Sequence, residues 1–178
     1  MSEKITIVCY NRKKDYYSRK EAINFYEDAV ICSDGHEQER YLNILCGLKS
    51  NETFICDELD IVDGFEKLVK ETDKVEKLMV KKFKEIKIPA VCDYFGDIGK
   101  GLVSLMGYHE YVDIELKMDN NSNITYCVVA NTDTCKFIDK TINQENNLLV
   151  EREFENFRDI KKYLDGIKIK KWWSSWKC

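Results

Sequence analysis

Thiols and imidazoles are the side chains of this sequence best suited to bond-making, and their spacing argues against that use. Eight cysteines stand at Cys9, Cys32, Cys46, Cys56, Cys92, Cys127, Cys135 and Cys178, with two histidines at His36 and His109. A structural zinc site draws its ligands in closely spaced pairs. Here no two cysteines stand two to four residues apart, and neither histidine has a second histidine four residues away. No metal site is therefore expected. A nucleophilic Cys–His pair is not placed by the sequence either. His36 falls beside a helix cap and His109 at a strand start, and neither setting lowers a thiol pKa. Most of the cysteines lie in apolar runs such as Ile5–Cys9 and Phe54–Cys56, so they are expected as free, buried small hydrophobes.

Glycines and carboxylates give similar answers. The segment Gly96–Gly101 reads Gly-Asp-Ile-Gly-Lys-Gly, but a phosphate loop needs Ser or Thr after the lysine and a glycine where Tyr94 stands. It is expected to be a turn needing positive φ between two helical pieces. Asp57, Glu58, Asp60 and Asp63 form the densest acidic cluster, where a helix entry attracts negative charge through its dipole. No catalytic residue and no cofactor is implied.

The tail is the most unusual feature. All three tryptophans, Trp172, Trp173 and Trp176, fall among Lys168, Lys170, Lys171 and Lys177. Tryptophan beside basic groups suits a protein hot spot or base stacking. The contact residues expected for a partner are thus Lys170, Lys171, Trp172, Trp173 and Trp176, with Arg12–Lys14 as a weaker second patch. The competing reading is an edge strand with Ile167 and Ile169 inward and the indoles folded over the core.

The elements that must carry these groups follow from periodicity. Ile5–Cys9 is β-branched and reads as a strand ending at a basic turn, Asn11–Lys14. Ser18 and Glu21 form a capping box before Ala22, Ile23, Tyr26, Ala29 and Val30 at helical spacing. Asp34 and Glu37 cap a second helix with Tyr41, Ile44, Leu45 and Leu48 inward, followed by a short strand, Phe54–Cys56, that pairs with the first. Asp63 and Glu66 open the longest helix, whose stripe runs from Phe65 through Met79 and Phe83 to about Ile88 before Pro89. Residues 90–106 are expected to be a broken helical connection. Beyond Gly107 the period becomes two, and strands at Val112–Met118, Ile124–Ala130, Cys135–Ile142 and Leu148–Phe154 form an antiparallel meander. Asn156 caps a last helix with Phe157, Ile160, Tyr163 and Leu164 inward, closed by Gly166.

The expected fold is α+β: a strand–helix–helix–strand unit with a long helix, then an antiparallel meander packed by a C-terminal helix. Two lobes, 1–88 and 89–178, meet at Ile88–Pro89. At 178 residues the chain can build a core without disulfides or metals. Net charge is −4, and neither half is polarised, which excludes a global basic field for nucleic acid and a dense acidic field for nucleic-acid mimicry. No apolar run approaches the ~20 residues of a membrane span, and no apolar leader follows Met1, so the cytosol is the expected compartment.

Four segments carry a resemblance: Ile5–Tyr10, Tyr17–Ala22, Glu37–Tyr41 and Phe54–Asp57. Together they make the first third of the chain similar to small accessory proteins of phages, plasmids and conjugative elements of Gram-positive bacteria. The resemblance implies an anti-defence or anti-CRISPR role and transfers no functional residues. The function expected from it is that of a non-catalytic, stoichiometric binding protein inhibiting a host defence nuclease of the Cas9 type. Its partner would be that protein or its complex with guide RNA. A nucleic-acid-binding accessory protein and a thiol-dependent enzyme are the alternatives.

Overall fold

The computed structural model describes residues 3–57, 61–84, 90–105, 111–138 and 148–170. The chain has an α+β fold that divides into two compact units, one of residues 1–62 with 94–98 and the other of 63–93 with 99–178. The expected boundary at Ile88–Pro89 lies outside the described residues, and the long helix belongs to the second unit because it packs on that unit's sheet.

In the first unit β1 (Ile5–Cys9) pairs antiparallel with β2 (Arg12–Tyr16) and parallel with β3 (Phe54–Cys56). The basic turn expected at Asn11–Lys14 is instead a two-residue loop, Tyr10 and Asn11, with φ of 49° and 58°, followed directly by the β2 strand. Two positive φ values give the hairpin turn whose twist matches the strands. Charged residues of β2 suit the edge of a sheet ordered β2-β1-β3. A parallel pair requires a crossover, supplied by α1 (Arg19–Ile31) and α2 (Gly35–Lys49). Ser18 caps α1 as expected, accepting from the Glu21 N–H at 3.3 Å. Asp34 makes no side-chain cap of α2; Gln38 Nε2 instead donates to the carbonyls of Val30 and Ser33 at the close of α1. Ile5, Ile7, Tyr26, Ile44, Leu48 and Ile55 form the core of the unit.

The second unit begins with α3 (Phe65–Lys82), whose stripe of Phe65, Leu68, Val69, Thr72, Val75 and Met79 is buried as its spacing predicts. Its cap is not Asp63 but Gly64 at φ 80°, a left-handed residue that only glycine adopts readily. The sheet runs β4-β5-β6-β7-β9, built from β4 (Ala90–Phe95), β5 (Lys100–Leu105), β6 (Val112–Met118), β7 (Ile124–Asn131) and β9 (Leu149–Phe154). Two strands replace the expected helical connection, and the Gly-rich segment is the turn between them, with Gly99 at φ 58°. Aromatic and β-branched residues around that turn favour extended backbone. The meander also differs from expectation. Its third strand, β8 (Cys135–Phe137), leaves the sheet and pairs with β10 (Ile167–Ile169), the strand that follows α4 (Phe157–Asp165). β6 is covered more fully than its alternation implies, since Asp113 is buried. Asn156 caps α4, its Oδ1 accepting from the Asp159 N–H at 3.0 Å.

No described helix is long and apolar enough to cross a membrane.

Candidate docking groove

The outer face of α3 carries a feature that the apolar stripe conceals. Lys67, Lys70, Lys74, Lys77 and Lys81 are separated by three and four residues in alternation, which places all five on one helical face. The row covers about 21 Å at 1.5 Å per residue. Its first members are occupied: Lys67 Nζ donates to the Ser122 carbonyl at 2.6 Å, Lys70 pairs with Glu66, and Lys74 pairs with Glu71. Lys77 and Lys81 have no side-chain partner among the described residues.

Beside the C-terminal half of α3 lies α4, and between them runs a groove of about 410 Å³. Lys74, Lys77, Lys81 and Lys82 of α3 line it with Lys161 of α4. Its floor is apolar, made by Leu78, Phe157 and the fully buried Leu164. One acid, Asp165, enters the lining, and Lys82 Nζ holds it at 3.1 Å. Lys161, like Lys77 and Lys81, has no side-chain partner among the described residues. With Lys74 held by Glu71 and Lys82 by Asp165, the ammonium groups of Lys77, Lys81 and Lys161 are left over an apolar floor, a hollow that attracts negative charge and offers burial to apolar groups. Each half of this site was visible in the sequence as a spacing; what the spacing could not give was the packing of α4 beside α3.

The tail residues fare differently. Lys170 is half-buried, its backbone N–H donates to the Thr134 carbonyl at 2.8 Å, and its Nζ donates to the Thr132 carbonyl at 2.7 Å. It therefore fastens the turn between β7 and β8 and is not a free contact. Lys171, Trp172, Trp173 and Trp176 lie outside the described residues. In the second expected patch Lys13 pairs with Asp15 at 3.9 Å, and the Lys14 ammonium lies 4.7 Å and 4.5 Å from the ring centres of Tyr16 and Phe25. Those cations are partly neutralised within the unit.

The first unit holds the other polar concentration. Asp57, read as part of an acidic cluster at a helix entry, is buried and binds Arg40. Cys9 lies near it, and burial, with the Asp57 carboxylate second, pushes its thiol up to about 12. Burial likewise pushes Cys127 up to about 12, aided by the Glu151 carboxylate that its Sγ approaches at 3.1 Å, and Cys135 up to about 11. These are protonated thiols at neutral pH. Cys32, at the C-terminal cap of α1, and Cys46, on α2, are exposed, contrary to the expectation of buried thiols; all described cysteines are free. His36 is fully exposed, 3.7 Å from Glu39, and His109 lies outside the described residues.

Among the described residues no three His, Cys, Asp or Glu side chains gather closely enough to hold a metal ion. A second hollow, of about 430 Å³, lies against β9 and the start of α4 beside Glu153, Glu155 and Asp159. Its acids are all exposed. No protein family, curated protein or solved structure matches this chain.

Proposed function

We propose that this chain is a stoichiometric binding protein of a phage or mobile element, which inhibits a host defence nuclease of the Cas9 type by occupying part of its surface. The observation that carries this reading is the α3–α4 groove, where Lys77, Lys81 and Lys161 have no side-chain partner among the described residues and stand around an apolar floor. Unpaired ammonium groups converging on one concavity gain most when a partner supplies the opposite charge, and such complementarity sets recognition and association rate. The similarity of the first third to accessory proteins of mobile elements supports the choice of a defence nuclease as that partner. Protonated, partly or fully buried Cys9, Cys127 and Cys135 weigh against the thiol-enzyme alternative. Trp172, Trp173 and Trp176 are a second contact region in this proposal.

The lysine row of α3 favours one further reading, direct binding of nucleic acid, whose signature is affinity that falls steeply with salt through counterion release.

The test mixes the purified chain with a Cas9-type nuclease loaded with guide RNA. Co-elution on gel filtration and loss of plasmid cleavage at about equal molar amounts are expected. Unchanged cleavage with the chain in large excess over the nuclease refutes the proposal.

A further inference from the structure

The groove has a chemistry more specific than its charge. A phosphodiester strand would use the ammonium groups and gain nothing from Leu78, Phe157 and Leu164, and no arginine offers the two-pronged geometry that recognises phosphate best. A compact metabolite would need buried polar groups to fix its orientation, and the groove's cations stand at the rim on long, flexible stems. An apolar floor with a cationic rim fits a different occupant.

We infer that the α3–α4 groove seats an acidic amphipathic helix of the partner protein, with one or two large apolar side chains on the floor and carboxylates against the lysines. The inference rests on the reading that this chain acts by binding, and it names the chemistry of the surface bound. Three relationships carry it. Lys77 and Lys81 stand four residues apart on one face of α3, so acids spaced by four residues on a helix laid alongside α3 meet both. Lys161 bounds the opposite side, so an acid on the other flank of the same helix also finds a cation. The volume of about 410 Å³ lies near the lower end of the range for ligand clefts, roughly 300–1,000 Å³, and suits a few side chains of a larger partner better than a whole cofactor.

The experiment uses the full chain and three fluorescent probes. One is a synthetic helical peptide with Leu and Phe on one face and Glu on both flanks; the second has the same composition in scrambled order; the third is an oligothymidylate. Anisotropy titration is expected to show the amphipathic peptide binding at least tenfold more tightly than the scrambled one. Lys77→Glu with Lys81→Glu should weaken it at least tenfold while the thermal melt stays unchanged, since neither ammonium has a side-chain partner among the described residues. Equal binding of the two peptides, tighter binding of the oligothymidylate, or indifference to the double reversal overturns the inference. The same variant is then tested against the loaded nuclease. Inhibition retained by the variant removes the groove but leaves the inhibitor reading standing. Peptide binding by a chain that never inhibits removes the inhibitor reading alone.

Discussion

Arg40 Nη1 stands 2.7 Å from Asp57 Oδ2, and that same oxygen accepts the Tyr10 backbone N–H at 3.0 Å. One carboxylate thus ties three elements: α2 through Arg40, the end of β3 through its own backbone, and the left-handed turn after β1 through Tyr10. The Arg40 guanidinium also lies 5.1 Å from the Tyr10 ring centre. Tyr10 at φ 49° is costly for a bulky residue, and this carboxylate, with the cation above the ring, offsets that strain.

The first prediction concerns this pair. The Asp57 side chain is 1% exposed and that of Arg40 37%, so removing either leaves unequal damage. Arg40→Ala strands a buried carboxylate and is expected to cost about 3 kcal/mol, the low end for breaking a buried pair because the arginine is partly solvated. Asp57→Ala leaves a solvated arginine and an unpaired N–H and should cost about 2 kcal/mol. Urea unfolding measures both. Arg40→Ala proving the milder change would contradict this assignment of which partner is buried.

The second concerns alkali. Cys9 and Cys127 titrate near 12 in the folded chain against an ordinary value of 9.0. A raised folded value means that the native state holds its proton more tightly than the unfolded chain does. Stability from these thiols is therefore complete below pH 9 and is lost between pH 9 and 12. Tyr26 and Tyr126 shift upward too, chiefly through burial, which extends the loss. Urea midpoints should fall steadily as pH is raised above 9, and Cys127→Ala should flatten part of that slope. A slope unaltered in the variant would mean that Cys127 is not among the groups responsible.

Labelling separates the same thiols at milder pH. Iodoacetamide near pH 8 should modify exposed Cys32 and Cys46 first, while thiolate at Cys9 and Cys127 is about a thousandfold scarcer than at an ordinary cysteine. Peptide mass spectrometry over a time course reads the order, and early modification of Cys9 would contradict it.

Local signals carried most of the helices and missed the sites. Ser18, Asn156 and the Phe65–Met79 stripe announce their roles within a few residues, because capping and amphipathicity are short-range. The Tyr10–Asn11 turn is different. The usual hairpin signal is Asn-Gly, and here a tyrosine takes the left-handed position because Asp57, 47 residues away, supplies the acceptor. Asp57 itself sits beside other acids in sequence, and only the fold separates it from them. The same limit hid the excursion of β8, whose partner β10 lies 30 residues further on in register, Ile167 opposite Phe137. On α3 the lysine row was legible from spacing alone, yet an outer row of cations is the ordinary dress of a solvated helix until another helix is shown beside it.

The fourth prediction tests how α3 meets its sheet. A Cβ built on Gly101 of β5 would come within 2.4 Å of Thr72 Oγ1, while that hydroxyl donates to the Leu68 carbonyl at 2.9 Å. Swinging the Thr72 hydroxyl to its other rotamer would break its bond to Leu68, so the clash is not relieved cheaply. Gly101→Ala should cost about 2 kcal/mol by overpacking. Thr72→Ala should cost about 1 kcal/mol through the lost hydrogen bond. The double variant should then cost less than the sum by at least about 1 kcal/mol, because the second change makes room for the first. Additive losses would show that the two residues do not collide.

The last prediction separates fold from binding at the C-terminal end. Lys170 holds the Thr132 and Thr134 carbonyls through its side chain and backbone. Only the side-chain bond is lost in Lys170→Met, which keeps the aliphatic stem; the expected cost is about 1.5 kcal/mol, as for a hydrogen bond from a charged donor. Any weakening of partner binding in that variant should then track its fraction unfolded and vanish when binding is measured well below the melting transition. Lys77→Glu with Lys81→Glu should show the reverse pattern, with unchanged urea midpoint and weakened binding. The crossed comparison matters because both changes remove positive charge. A purely electrostatic partner would respond to each in proportion to charge, whereas a groove with an apolar floor responds only where the lysines frame it.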